Sequence, residues 1–142
     1  MGIQQTVENL DFYCADYARR IVDGLRVEER LSGEEITHAV SKFLNILHVN
    51  GLYAYLLYVL WKRYSGTLTE RKIAARIDTL LVGEEGQPSL LRLDAIGLPL
   101  QGAKDTIAVG QVLARDLQGL FLAKELINRT LTYVRFHART VG

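Results

Sequence analysis

The stretch NGLYAYLLYVLWKR, residues 50–63, decides the fold of this chain. Between the Asn-Gly pair and Lys62 it has no charged side chain, so it is either a membrane segment or part of a folded core. The apolar run that extends back to Phe43 has nearly the length of a membrane span, which needs about 20 residues. However, polar side chains and the Asn-Gly pair interrupt this run and divide it into two helices. We therefore predict that residues 52–64 form an apolar helix at the centre of a bundle, outside any membrane.

Hydrophobic residues recur every three or four positions on both sides of this apolar helix, which is typical of amphipathic helices. The pattern predicts further helices over about 6–27, 33–49, 67–82 and 105–139. Ser32 with Glu35, and Thr67 with Glu70, form capping boxes that mark where two of these helices begin. The last helix carries a heptad-like apolar seam that suits packing against other helices of the bundle or against a partner chain.

Residues 83–104 break the helical pattern, because four glycines and both prolines of the chain lie there. We predict a loop with a short helical turn near 90–93, held by a small hydrophobic cluster. A length of 142 residues suits one domain. The predicted fold is thus all-α: a single-domain bundle of about five to six helices over residues 1–142, with 83–104 as a loop or short-helix insertion.

The composition gives little sign of catalysis, metal binding or secretion. Cys14 is the only cysteine, so no internal disulfide can form, and a reducing cytoplasm is the expected location. The start of the chain lacks a basic segment followed by an apolar one, so we expect no signal peptide. No histidine pair has the spacing of a metal site, and no glycine-rich phosphate or dinucleotide motif is present. We therefore expect a protein that is not an enzyme and that needs no metal or cofactor.

Positive charge is concentrated in two segments although the net charge of the chain is only +1. Residues 51–82 and residues 109–142 each hold five basic and two acidic side chains, net +3. Two such segments point to a polyanion or an acidic partner, because guanidinium groups bind phosphate through two hydrogen bonds at once. The same charges also fit ordinary solvated helix faces, and both interpretations stay open at this point.

The last helix offers the best defined group of basic side chains. A rotation of about 100° per residue places one set of polar residues along a flank of its apolar seam. This flank consists of Lys124, Asn128, Arg135 and Arg139. Tyr133, Phe136 and His137 offer stacking surfaces nearby. An alternative is that the arginines only complement the carboxyl end of the helix dipole.

Three segments of the chain resemble the small subunit of type III-B CRISPR (Cmr) effector complexes. The first is DFYCADYARRIVDGL, residues 11–25, which leads through a charged link to FLNILHVNGL, residues 43–52. The second is the apolar helix YAYLLYVLWKR, residues 53–63, and the third is ARDLQGLFLAKELINRTLTYVRFHART, residues 114–140. The resemblance covers most of the chain outside residues 83–104.

This resemblance implies an all-helical, non-catalytic subunit that acts in antiviral defence. Its expected partners are other CRISPR effector subunits, copies of itself stacked in a filament, and guide and target RNA. By position, Lys62 and Arg63 match the basic end of the family's apolar helix, and Arg135 and Arg139 match the basic end of its last helix. From charge and helical position alone, the expected RNA-binding residues also include Lys42, Arg71, Lys72, Arg76 and Lys124.

Other functions remain open at the level of the sequence. The small subunit of type III-A (Csm) complexes has a similar arrangement. A helical interaction or oligomerisation module without RNA binding would use the same apolar seam, with the arginines serving only solubility. An enzyme of unrecognised type is the third possibility.

Overall fold

Six α-helices make up most of residues 3–141, the part of the chain that the structure, a computed structural model, describes; side chains are described from residue 10 onward. The helices are α1 Ile3–Asp23, α2 Gly33–Asn50, α3 Leu52–Ser65, α4 Leu68–Ile77, α5 Thr106–Leu113 and α6 Leu117–Thr140. No β-strand occurs within residues 3–141. The prediction of a single all-α bundle of about five to six helices is confirmed.

The helix starts that the capping boxes predict are confirmed. The Ser32 hydroxyl accepts a hydrogen bond from the Glu35 amide, and the Glu35 carboxylate accepts one from the Ser32 amide. Thr67 and Glu70 exchange the same two bonds at the start of α4. Between α2 and α3, Gly51 has a φ of 91°, a conformation that strains any residue with a side chain. The Asn-Gly pair therefore separates two helices, as predicted.

The long last helix predicted over 105–139 is wrong, because the structure has two helices there. α5 ends at Leu113, and a turn leads into α6. The Asp116 carboxylate accepts a hydrogen bond from the Gly119 amide at 3.1 Å, so Asp116 caps a new helix. Asp105 caps α5 in the same way, through the Ala108 amide at 2.9 Å. The apolar pattern continues across the break and hid this second cap.

Both α1 and α4 end in a turn of π-helix, over Gly24–Glu28 and Asp78–Val82. Gly24 is buried beneath the guanidinium group of Arg76, which donates a hydrogen bond to Glu28 at 2.7 Å. A Cβ atom at position 24 would lie 2.6 Å from Arg76 Cζ. Any larger residue at this position would therefore require the guanidinium group of Arg76 to shift.

The core forms where α6 packs against α1 and α2, and where α3 packs against α2, α4 and α5. His48, near the end of α2, contacts Asn128, whereas the start of α2 lies beside Arg139, so α2 and α6 run antiparallel. Cys14 is fully buried on α1, as its place on the apolar stripe predicts, and burial raises the pKa of its thiol. Its thiol lies 3.7 Å from the Leu126 carbonyl oxygen on α6.

The helix α3 belongs to the core on one face only. Tyr55, Leu56 and Val59 are buried, whereas the opposite face is open to solvent. The exposed apolar side chains on that face are Tyr53, Leu57, Trp61 and Tyr64. The prediction of a central helix is therefore wrong for this exposed face, because α2, α4 and α5 pack mainly against the face that carries Tyr55, Leu56 and Val59. Within residues 3–141, no helix combines the length and the apolar character needed to cross a membrane.

The segment 83–104 contains a short 3₁₀ turn, Leu90–Arg92, and two of its side chains hydrogen-bond to Val82 at the end of the turn after α4. The Arg92 guanidinium donates to the Val82 carbonyl at 2.9 Å, to the Gly83 carbonyl at 3.3 Å and to the Leu100 carbonyl at 3.5 Å. The buried Ser89 hydroxyl also donates to the Val82 carbonyl. The loop is thus held by polar contacts to backbone as well as by its hydrophobic cluster.

The hydroxyl group of Tyr55 is buried and has no hydrogen-bond partner among the described residues. Burial raises its pKa above the ordinary range for tyrosine. Because an unsatisfied buried hydroxyl is costly, Tyr55→Phe is expected to raise the free energy of unfolding by about 1 kcal/mol. Urea denaturation followed by far-UV circular dichroism measures this change.

The matched control for this experiment is Tyr133→Phe. The Tyr133 hydroxyl donates to Asp11 Oδ1 at 2.5 Å, so its removal is expected to lower the free energy of unfolding by about 1 kcal/mol. The two tyrosines should therefore respond with opposite signs. A loss of stability in Tyr55→Phe would show that its hydroxyl does make a stabilising contact.

Candidate nucleic-acid interface

A groove of about 490 Å³ lies between the end of α3, one side of α4 and the turn that follows α1. Four of the nine predicted RNA-binding residues line this groove, which we call the α4 groove. They are Arg63, Arg71, Lys72 and Arg76. Tyr64 and Leu68 add apolar surface, and Glu29 adds a carboxylate. The fold thus brings basic residues from two separate helices to one surface.

Most cations in the α4 groove already have a carboxylate partner. Arg76 Nη2 lies 2.7 Å from Glu28 Oε2, and Lys72 Nζ lies 3.7 Å from Glu29 Oε2. Arg71, in contrast, is exposed and forms no ion pair within the part of the chain that the structure describes. Arg71 is therefore the groove residue that can contact an external anion without first breaking an internal pair.

Arg63 lines the groove and forms an ion pair with a buried carboxylate. Its Nη1 lies 2.6 Å from Asp78 Oδ2, and Asp78 is only 4% exposed. The Thr106 hydroxyl donates to the other oxygen of the same carboxylate at 2.5 Å. Asp78 thus joins α3, the turn after α4 and the start of α5. This arrangement gives Arg63 a structural role and commits part of its guanidinium group to the fold.

Lys62 does not line the α4 groove, and it pairs with Glu70, which lines a second hollow beside α2. Its Nζ lies 3.1 Å from Glu70 Oε2 and 4.4 Å from the centre of the Trp61 ring. The hydrogen bond from the Thr67 amide, with Lys62 alongside, lowers the pKa of Glu70. Lys42 is exposed and lines the same hollow, together with Glu70. Both predicted lysines therefore lie outside the α4 groove, and Lys62 is paired with a carboxylate.

The three predicted residues on α6 lie apart from the α4 groove. Arg139 is exposed and borders a shallow hollow at the start of α2, beside Glu34 and His38. Lys124 and Arg135 are half-buried, and the Nε of Arg135 is buried without a hydrogen-bond partner among the described residues. The flank predicted as a groove wall faces α2, where Asn128 Oδ1 lies 2.5 Å from His48 Nε2.

Sequence reasoning missed the carboxylates that pair with the predicted cations. Glu28 and Glu29 lie more than 40 positions before Arg76 along the chain, so no local pattern links them. It also missed the aromatic rings at the end of α3, although a local signal for them exists. Two aromatic residues, Trp61 and Tyr64, flank the basic pair Lys62-Arg63 in four consecutive positions. The combination of aromatic and basic side chains is typical of surfaces that bind single-stranded nucleic acid.

Within the described residues, no group of three or more histidine, cysteine, aspartate or glutamate side chains is arranged to hold a metal ion. Comparisons of the chain with protein-family models, curated proteins and solved structures find no match.

Proposed function

We propose that this chain is a non-catalytic small subunit of a type III-B CRISPR (Cmr) RNA-targeting ribonucleoprotein, and that it contacts guide or target RNA through the α4 groove. The observation that carries the proposal is the convergence of four basic side chains on one groove, with Arg71 exposed and unpaired within the described residues. The resemblance of three sequence segments to this family supports the same conclusion. A type III-A (Csm) small subunit would use the groove in the same way.

A single α4 groove supplies few phosphate contacts, so one copy should bind RNA weakly. Copies stacked along one strand gain affinity because each bound copy raises the effective concentration of RNA at the next. Each phosphate contact on a single strand contributes a log–log salt slope of about −0.7 through the release of counterions. Base pairing between guide and target reads the sequence, so this subunit needs no contacts to base edges.

Arg71→Glu is expected to weaken binding to single-stranded RNA by about tenfold, which is about 1.4 kcal/mol, and to reduce the salt slope by about 0.7. The substitution removes the unpaired cation and places a carboxylate beside Lys72. Fluorescence anisotropy with an end-labelled RNA, measured between about 50 and 200 mM salt, gives both values.

Arg115→Glu is the matched control, because Arg115 is exposed in the turn between α5 and α6 and does not line the α4 groove. Its affinity and salt slope should equal those of the wild type. Equal losses in the two variants would mean that only the overall charge matters, and the α4 groove would then have no special role.

A second candidate, a helical interaction module without RNA binding, is favoured by the exposed apolar face of α3. In that case, self-association measured by sedimentation should be unaffected by RNA and by Arg71→Glu. Affinity purification from the native host, followed by mass spectrometry and RNA sequencing, tests the assembly. Recovery of CRISPR effector subunits with guide RNA supports the first function, and recovery of the chain with protein partners alone supports the second.

A further inference from the structure

Two aromatic side chains at the end of α3 are open to solvent, and each has a cation near its ring. Trp61 is 59% exposed, and Lys62 Nζ lies 4.4 Å from the centre of its ring. Tyr64 is 71% exposed, and Arg63 Cζ lies 5.6 Å from its ring centre. Both pairs fall within the distance for cation–π contacts. The two rings lie three positions apart, so they share one side of the helix.

The Trp61 ring is held in place rather than loosely exposed. Tyr58 packs edge-on against it, with ring centres 5.8 Å apart, and Tyr58 in turn packs edge-on against the buried ring of Phe43. This chain of rings connects Trp61 to the core of the bundle. A fixed aromatic face that remains open to water is suited to stacking on a planar group of a partner.

Tyr64 joins this aromatic surface to the α4 groove. It lines the groove together with Arg71 and Lys72. A polyanion bound at Arg71 would therefore pass beside the Tyr64 ring, and Trp61 lies one helical turn away along α3. A strand with alternating phosphates and flat bases fits such a surface, because its phosphates meet the cations while its bases meet the rings.

We propose that Tyr64 and Trp61 stack on unpaired bases of an RNA strand whose phosphates contact Arg71. This inference rests on the proposed RNA binding and adds the class of ligand: a single strand with exposed bases, rather than a duplex or a phosphate chain alone. It also moves the stacking surface from α6, where Tyr133, Phe136 and His137 were the sequence-based candidates, to the end of α3.

The fluorescence of the protein gives a direct test, because Trp61 is the only tryptophan of the chain. Titration with oligouridylate should quench this fluorescence, and the quenching should saturate together with the anisotropy of a labelled RNA. Titration with inorganic polyphosphate, which carries charge but no bases, should compete for the groove and leave the fluorescence unchanged. Equal quenching by polyphosphate would overturn the stacking proposal.

Substitutions supply a second, independent readout. Trp61→Leu and Tyr64→Leu are each expected to weaken binding to oligouridylate on the order of tenfold, while binding of polyphosphate stays the same. Both side chains are exposed, so the far-UV spectrum should not change and the midpoint of thermal unfolding should shift by only a few degrees. Phe121→Leu is the control, since Phe121 is 61% exposed on α6, away from the groove.

The outcomes separate this inference from the proposed function. RNA binding that depends on Arg71 but leaves the fluorescence and both leucine variants unchanged would overturn the stacking proposal and keep the proposed function. Absence of any RNA binding would overturn both. A loss of oligouridylate binding in Phe121→Leu equal to the losses in the α3 variants would also overturn the assignment to α3.

Discussion

Asp78→Ala is expected to lower the free energy of unfolding by about 3–5 kcal/mol, because it leaves a partly buried guanidinium group without its counter-ion. The Asp78 carboxylate accepts hydrogen bonds from Arg63 at 2.6 Å and from the Thr106 hydroxyl at 2.5 Å. Asp78 lies in the turn after α4. Among the described residues, it is the only side chain of this turn that hydrogen-bonds to both α3 and α5. Urea denaturation followed by circular dichroism at 222 nm measures the change.

Asp94→Ala is the control for this prediction, because Asp94 is exposed and its side chain forms no ion pair within the described residues. Its effect should stay within about 0.5 kcal/mol of the wild type. Combining Asp78→Ala with Arg63→Leu should recover part of the loss, since removing both charges avoids an unpaired one. A loss below about 1 kcal/mol in Asp78→Ala would show that solvent compensates Arg63 fully.

This prediction also decides how the RNA-binding proposal should be tested. A variant of Arg63 changes the fold and the charge of the α4 groove at once, so weaker RNA binding in such a variant could arise from either cause. Arg71 has no such internal partner in the described structure. Substitution of Arg71 therefore changes the groove while leaving the bundle intact.

Arg92→Ala is expected to lower the free energy of unfolding by about 2–3 kcal/mol, because three backbone carbonyls lose a charged donor together. Burial lowers the pKa of the Arg92 guanidinium, which nevertheless stays protonated near neutral pH. Without this side chain, the segment 83–104 keeps only the Ser89 hydroxyl as a side-chain hydrogen bond to Val82 among the described residues. Urea denaturation measures the stability, and hydrogen exchange read by mass spectrometry should show faster exchange throughout the segment.

Two further variants test whether the geometry of the Arg92 guanidinium group, rather than its positive charge alone, stabilises the segment 83–104. Arg92→Lys should recover only part of the stability, because one ammonium group cannot reproduce the separate Nε, Nη1 and Nη2 contacts. Lys104→Ala removes an exposed cation from the same segment and should leave both measurements unchanged. Unchanged exchange in Arg92→Ala would mean that the buried leucines and the Ser89 hydroxyl hold this loop without Arg92.

The sequence predicts a structural feature correctly where the contacts that form it join residues close together in the chain. Ser32 with Glu35 marks a helix start because both hydrogen bonds lie within four residues. The break before α6 is also local, at Asp116, but a continuous apolar pattern masked it. The exposed face of α3 was not predictable in this way, because an apolar sequence does not reveal how many neighbours cover a helix.

The same distinction applies to the candidate interface. Helical periodicity makes Lys72 and Arg76, four positions apart, neighbours on the surface of α4. The folded structure brings Arg71 into the same groove. Which of these cations remain available depends on Glu28 and Glu29, and only the folded chain brings those carboxylates to α4. Charge counts along the sequence therefore overestimate the number of available cations.

The close approach of Arg76 to Gly24 has a consequence for evolution. The guanidinium group of Arg76 occupies the space that a side chain at position 24 would need. The residue at position 76 therefore affects which residues fit at position 24. In related chains, glycine at position 24 should be more frequent where residue 76 is arginine than where residue 76 is smaller. A correlation between positions 24 and 76 would help to align distant relatives of this chain. Leucine and isoleucine replace each other freely in the helices, so the apolar positions alone do not define the alignment.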